Sequence, residues 1–253
     1  MNIDSPKKIH TPALRALWRE AFSDSEDFLD SFFETAFSPE RCRCVWLGDE
    51  LVAALYWFDS SYDGGRVAYI YAVATARAHQ GKGLCTSLMK SAHCHLKSLG
   101  YDFAVLVPGS KELFRFYEKM GYQTSGYVRE FECKPSEKAV KLRKIEIDEY
   151  RTLRRLLLPE GSVIQENEAL DFLKRQAELY AGEDFLLTAR KEEGRLFGIE
   201  LLGNKSVAPD ILFTLGAKEG KFRTPDGNIP FAMSLSLNEK ANTPPSYFGI
   251  AFD

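Results

Sequence analysis

The sequence predicts a mixed α/β (α+β) chain built on a central sheet of both antiparallel and parallel strands, followed by a smaller α+β C-terminal domain. Three observations carry that reading. Residues 42–47, 51–59 and 66–73 are runs of β-forming residues separated by turn signals, which predicts a meander of three antiparallel strands. A segment with glycines at 81 and 83 then opens a helical pattern, and the short apolar run Phe103 to Val107 follows it. Strand, turn, helix and strand in that order form a crossover unit, so the strands that flank the helix are expected to run parallel.

Taken in order, Thr11-Pro12 supplies a cap and a first-turn proline, after which Leu14, Leu17, Trp18, Ala21 and Phe22 recur at helical spacing. Phe28, Leu29, Phe32, Phe33 and Phe37 mark a second helical face, which Ser38-Pro39 ends. Gly48-Asp49-Glu50 is the hairpin turn between the first two strands. Leu84, Leu88, Met89, Ala92 and Leu96 give the crossover helix, closing at Gly100. Leu113, Phe114, Phe116, Tyr117 and Met120 give another helix, capped by Gly121, before a strand over Gly126 to Cys133.

The first domain is placed at residues 1–137 and the second at 138–253. In the second, residues 141–158 read as a strand and a basic helix, and Ala169 to Tyr180 as a helix. Phe185 to Ala189 and Leu196 to Leu202 read as a hairpin, and Ile211 to Leu215, Ile229 to Leu237 and Tyr247 to Phe252 as further strands. Gly203 to Asp210, Gly220 to Gly227 and Asn238 to Pro245 read as breaker-rich connections.

Composition narrows the function classes. Of 253 residues, 45% are hydrophobic and 27% charged, a balance that permits a packed core. The net charge of −3, with Lys and Arg spread along the chain, argues against nucleic acid as a partner. Five cysteines and an N-terminus without an apolar run suit a reducing, cytoplasmic setting. Apolar windows are too short for a membrane span, so no membrane partner is expected.

The chemistry concentrates in Gln80-Gly81-Lys82-Gly83-Leu84-Cys85, between a strand and the first turn of a helix. Unpaired backbone N–H groups at such a place can hold an anion, and glycine permits positive φ and close approach of a phosphate. On its own a G-x-G run is equally a tight turn. A third glycine is missing for a dinucleotide fingerprint, and no Lys-Ser or Lys-Thr follows as in a Walker loop.

The surroundings of this loop resemble the GCN5-related N-acetyltransferase (GNAT) superfamily. Its pyrophosphate-loop signature matches Gln80 and Gly83, with Cys85 where the family has Gly or Ala. Val73-Ala74-Thr75 looks like the end of the family's fourth strand, and Leu113 to Tyr122 like its later helix and closing aromatic-glycine run. The resemblance implies acetyl-CoA as cofactor, held by Val73, Thr75, Gln80, Gly81, Lys82, Gly83, Leu84 and Cys85. It also implies a sheet whose parallel strands, near Tyr69 to Val73 and Phe103 to Val107, splay at their C-terminal ends. Within it Tyr117 is the expected general acid and the Val73 N–H the expected oxyanion donor. Tyr69 and Tyr71, on one strand face by period two, are expected to line the acceptor pocket.

The implied activity is acetyl transfer from acetyl-CoA to a primary amine by direct attack in a ternary complex. The acceptor would be a small molecule or a peptide, the protein a monomer or homodimer. The alternative is a non-catalytic acyl-CoA-binding sensor. The second half resembles the start of a degenerate second copy, as in tandem acetyltransferases, without a second Gln-x-x-Gly-x-Gly run. A further resemblance, to the enhanced-intracellular-survival type, implies a role for Asp253 as the carboxylate base. No metal is expected: Cys42 and Cys44 share a strand face, but His93 and His95 point to different faces of a helix. The first-turn position of Cys85 should lower its pKa, but the resemblance turns it toward the pyrophosphate, whose like charge opposes a thiolate, so an acyl-cysteine route is not expected.

Overall fold

The structure, a computed structural model, describes residues 1–238 and 243–252. The first half contains β1 (Asn2–Asp4), α1 (Thr11–Phe22), α2 (Glu26–Thr35), β2 (Cys42–Leu47), β3 (Glu50–Tyr62), β4 (Gly65–Thr75), α3 (Leu84–Ser98), β5 (Phe103–Leu106), α4 (Lys111–Glu118) and β6 (Gln123–Cys133). The second contains β7 (Leu142–Lys144), α5 (Ile147–Leu157), β8 (Ile164–Gln165), α6 (Glu168–Gln176), β9 (Glu178–Gly182), β10 (Phe185–Glu192), β11 (Arg195–Gly203), α7 (Ala208–Thr214) and β12 (Glu219–Ser236).

All strands join one sheet in the order β1-β2-β3-β4-β5-β12-β11-β10-β9-β7, with β6 on β12 and β8 on β3. Two neighbouring pairs are parallel, β4 with β5 and β11 with β12; the other pairs are antiparallel. The order therefore reads alike from either end, with an antiparallel β5–β12 contact at its centre. Strands from before and after residues 137 and 138 thus share one sheet.

Side-chain alternation on β3 explains why this strand reads as an unbroken apolar run. Ala54, Tyr56 and Phe58 pack toward α1, α2 and α6, whereas Ala53, Leu55 and Trp57 pack toward α3 on the opposite face. Both faces are covered, so every position is selected for burial. The first face is rich in rings: Trp18 lies 4.6 Å from Phe32 and 5.2 Å from Tyr56, centroid to centroid. Tyr56 and Trp57 are accordingly core residues, 3% and 2% exposed.

The second half departs from the sequence reading in four places. Ile211 to Leu215 lies in helix α7 and its cap, because Ala208, Ile211 and Leu212 bury together at helical spacing behind Pro209 in the first turn. Gly220 to Gly227 lies inside β12, where β11 pairs on one side and β6 on the other. A Cβ on Gly220 would press on Leu212 and Phe222, so the glycine answers a packing need within a strand. The helix read over Ala169 to Tyr180 stops at Gln176, and β9 takes up Glu178 to Tyr180. Tyr247 to Phe252 is an extended tail whose one bridge, Tyr247 to Ser162, ties it to the body of the protein.

Candidate active site

The site begins with a fault in β4. Ala54 pairs with Ala74 and Tyr56 with Tyr71, so Ala72 and Val73 together oppose the single residue Leu55. That is a β-bulge, and Ala72 adopts a left-handed φ of 47° within it. A non-glycine residue held there marks local strain of about 1–3 kcal/mol. The parallel ladder with β5 ends just upstream, at Tyr69 opposite Val105. Past that point β4 and β5 part, and a cavity of about 820 Å³ opens between them.

Val73, Tyr69, Tyr71 and Tyr117 all line this cavity, together with Leu106 and Val107 from the end of β5. Tyr69 and Tyr71 stand 5.8 Å apart, centroid to centroid, on one face of β4. Tyr117, from α4, is 7% exposed. Burial pushes its phenol well above the ordinary range, with the neighbouring Cys85 adding to the effect, so the hydroxyl keeps its proton at neutral pH.

Thr75, at the end of β4, and Gln80 to Cys85, at the N-terminus of α3, lie beyond the bulge and outside the lining of this cavity. Gly81 and Gly83 have φ of 73° and 76°. Gly83 is the N-cap of α3 without a side-chain cap, and the first intrahelical bond runs from Ser87 N–H to Gly83 C=O at 3.0 Å. The N–H groups of Leu84, Cys85 and Thr86 thus precede the hydrogen-bonded ladder, and a Cβ added at Gly81 or Gly83 would meet open space. Such a cradle fits a pyrophosphate. Gln80 donates to the Thr75 carbonyl at 3.2 Å, tying the loop to the end of β4, and the Thr75 hydroxyl oxygen is buried without a partner among the described residues. Lys82 donates to the Ala78 carbonyl at 2.8 Å. Burial raises the Cys85 thiol to about 11, opposite to what its first-turn position alone suggests, and this removes the thiolate that an acyl-cysteine route needs.

The fourth wall comes from the far end of the chain. Val163 N–H donates to the Tyr247 carbonyl at 2.9 Å, and Gln165 donates to the Ile250 carbonyl at 2.7 Å. Tyr247 also donates its hydroxyl to Glu200 at 3.1 Å. Glu200 is buried in a bidentate pair with Arg154, at 2.6 and 3.0 Å. Burial would lower the Arg154 guanidinium, but Glu200, with Tyr150 and Tyr247 adding to it, holds it above its usual range. Gly249 passes so close to Glu200 that a Cβ there would collide with the carboxylate. The tail then delivers Ala251 and Phe252 to the cavity wall. Asp253, which follows, lies outside the described residues.

Several lining residues carried no sequence signal. Asp24 is one, held by Trp18 Nε1 at 2.8 Å; Gln176, Arg190, Lys191 and Glu192 are others, contributed by the second half. Spacing could reveal none of these, since they reach the cavity only through long-range packing of helices and strands. His93 is partly buried and hydrogen-bonds the Tyr122 hydroxyl at 2.9 Å. No group of three or more His, Cys, Asp or Glu suited to a metal occurs among the described residues. Likewise, none of their helices is long and apolar enough to cross a membrane.

Residues 2–125, which include the bulge, the glycine loop and Tyr117, match the family described as an acetyltransferase (GNAT) domain. Over those residues the chain is similar to a GNAT domain. Solved structures extend the likeness of fold to the second half. A GCN5-related N-acetyltransferase from Kribbella flavida superposes with a TM-score of 0.71 at 16% identity, covering 95% of this chain and 72% of the other. One from Anabaena variabilis gives 0.73 at 14% identity, covering 95% and 74%. Eis1 from Mycobacterium abscessus gives 0.69 at 10%, covering 95% and 75%. No curated protein sequence matches the chain significantly. At these identities the likeness establishes the fold, and any chemistry rests on the residues of this chain itself.

Proposed function

We propose that the protein is an N-acetyltransferase that transfers an acetyl group from acetyl-CoA to a primary amine by direct attack in a ternary complex. The observation that carries this reading is the convergence of a kept phenol proton at Tyr117 and a bulged backbone at Val73 on one cavity. Acetyl-CoA supplies the activated acyl carbonyl. Gly81 to Cys85 would hold its pyrophosphate through backbone N–H groups, and Thr75 and Val73 would follow along β4. The Val73 N–H, displaced from the β3 register, is the donor for developing negative charge on an oxygen. Tyr117 Oη holds the proton that a departing sulfur requires. Tyr69 and Tyr71 orient the amine, and the Asp253 carboxylate, next to Phe252, takes the proton that the amine loses.

The second half fits the reading of a degenerate second copy. The pairing order β7-β9-β10-β11, with a parallel β12, repeats the order β1-β2-β3-β4 with a parallel β5. The crossover helix α7 has 7 residues against 15 in α3, and no glycine loop precedes it. That half would shape the acceptor side of the cavity rather than bind a cofactor.

The test is a screen of small-molecule and peptide amines with acetyl-CoA, read by release of free thiol. Amine-dependent release supports the transferase. Acetyl-CoA binding without release from any amine would favour an acyl-CoA sensor instead.

A further inference from the structure

One carboxylate in the wall of the large cavity has no counter-ion. Asp24 lies in the turn between α1 and α2, and among the described residues its one partner is the Trp18 Nε1–H, a neutral donor at 2.8 Å. The turn is fixed on both sides. Ser23, with φ of 60°, donates its N–H to the Arg19 carbonyl at 3.1 Å and closes α1, and Ser25 accepts from the Phe28 N–H at 3.2 Å as the N-cap of α2. The cations of α1 are engaged elsewhere: Arg15 lies 2.7 Å from both Glu26 and Asp30, and Arg19 lies 3.3 Å from Glu26.

Around this carboxylate the lining is aromatic. Trp18, Phe22, Phe28 and Tyr71 line the same cavity as Asp24, Val73 and Tyr117. Trp18 lies 5.7 Å from Phe22, 6.4 Å from Phe28 and 5.7 Å from Tyr71, centroid to centroid. Phe22 is 42% exposed, a large ring left open at the cavity. A carboxylate without a counter-ion among such rings suits an organic cation, because ring faces attract positive charge and the carboxylate adds a charge-assisted hydrogen bond. The rings also lead to the bulge: Tyr71, next to Trp18, stands two residues before Val73 on β4 and 5.8 Å from Tyr69. The cations of the lining come from β10 instead, where Arg190 Nε lies 3.2 Å from Glu192 and Lys191 donates to the Leu215 carbonyl at 2.8 Å.

We propose that Asp24, with Trp18, Phe22 and Phe28 around it, is a cation subsite of the cavity and receives a second, non-reacting ammonium group of the acceptor. That the ligand is an acceptor rests on the transferase reading above; the cation subsite itself does not. An attacking amine has to be neutral, whereas a carboxylate in contact keeps an ammonium protonated, so the group on Asp24 is not the nucleophile. The favoured acceptor is a dication with one amine near Tyr71 and Val73 and the other on Asp24, and an amine with an acidic far end is disfavoured by the same carboxylate.

Binding and kinetics test the two parts separately. Calorimetry on the full chain should show hexylamine, a cation at neutral pH, binding at least about tenfold more tightly than hexanol, as for a charge-assisted contact. In Asp24→Asn, whose side-chain oxygen can still accept from Trp18 Nε1, that preference should collapse toward unity, with folding checked by circular dichroism. Phe22→Leu, at an exposed ring, should lose about two- to fivefold of it, and gives a reading should Asp24→Asn fail to fold. Equal binding of amine and alcohol, or a preference that survives in the folded variants, overturns the subsite. With acetyl-CoA present, Asp24→Asn should raise KM for hexamethylenediamine about tenfold, to the level of aminohexanol, and leave aminohexanol far less affected. An equal rise for both would place the carboxylate on the reacting amine and overturn the second-cation assignment, with the transferase reading intact. If the binding preference and its loss are seen but no amine releases thiol from acetyl-CoA, the cation subsite stands and the transferase reading falls.

Discussion

Tyr71 donates its hydroxyl to the main-chain carbonyl of Phe252 at 2.9 Å, joining positions 181 residues apart at the edge of the cavity that Tyr117 lines. Phe252 in turn packs against Phe58 and Phe172, each 4.9 Å away between centroids. The tail is thus a wall of the site. Replacing Phe252 with alanine, or Tyr71 with phenylalanine, should raise KM for the amine severalfold and leave acetyl-CoA affinity unchanged. Steady-state kinetics with each substrate varied in turn checks this, and a loss of acetyl-CoA binding would show that the tail instead supports the cofactor side.

Glu200 accepts from three side chains, Arg154, Tyr150 and Tyr247. Glu200→Gln leaves the Arg154 charge buried, 2% exposed, without its counter-ion, and should cost about 3–5 kcal/mol in denaturant unfolding. A double change to Glu200→Gln with Arg154→Met should recover most of that, because the buried charge goes too. Equal instability of the single and double variants would mean that packing, rather than the ion pair, dominates.

Gly83→Val is expected to abolish acetyl-CoA binding in a folded protein. The backbone there has φ of 76°, which a β-branched residue avoids, so the N–H groups behind it would turn away from the phosphate position. Calorimetry with unchanged affinity would move the cofactor site elsewhere.

Tyr117→Phe removes a proton and little else. Turnover should fall by roughly 10²–10⁴ while acetyl-CoA binding stays normal, the range for a positioned acid. Wild-type turnover at saturating substrates would leave Tyr117 a packing residue.

His93 sets part of the acid sensitivity. Burial lowers its pKa from 6.5 to about 4, so it is uncharged in the folded protein where the unfolded chain already takes a proton. Its contribution to stability is complete above pH 6.5 and is lost as pH falls toward about 4, worth at most roughly 3 kcal/mol. His93→Gln should flatten that share of the acid slope in denaturant unfolding followed between about pH 7 and about pH 4. An unaltered slope would assign acid loss to other groups.

Local rules made much of the first half legible. The Gly48 hairpin, the glycine loop before α3 and the capped helix that carries Tyr117 each state their geometry within a few residues. The bulge at Ala72 was not legible, since alanine advertises no positive φ. Nor was α7, where four apolar residues in five positions suit a strand as readily as a helix and only the burial of Ala208, Ile211 and Leu212 on one side decides. Arg190, Lys191 and Glu192 reach the cavity because β12, paired with β5, carries their hairpin on its other side, a long-range relationship with no local trace. The path of Phe252 depends likewise on Glu200 and Gln165, far away in sequence.

The place of β12 sets the order in which this protein can be made. β5 pairs with Ser236 to Met233, and β6 pairs along the same strand from Ser234 back to Gly220. A ribosome that has released residues 1–137 has therefore delivered the glycine loop, the bulge and Tyr117, yet β5 still shows an open edge and β6 has no strand to lie on. Both edges wait until almost the whole chain has emerged. During that interval the nascent first half exposes apolar strands to pairing with other chains, so chaperone demand in the cell is expected to fall on the unfinished polypeptide more than on the released protein.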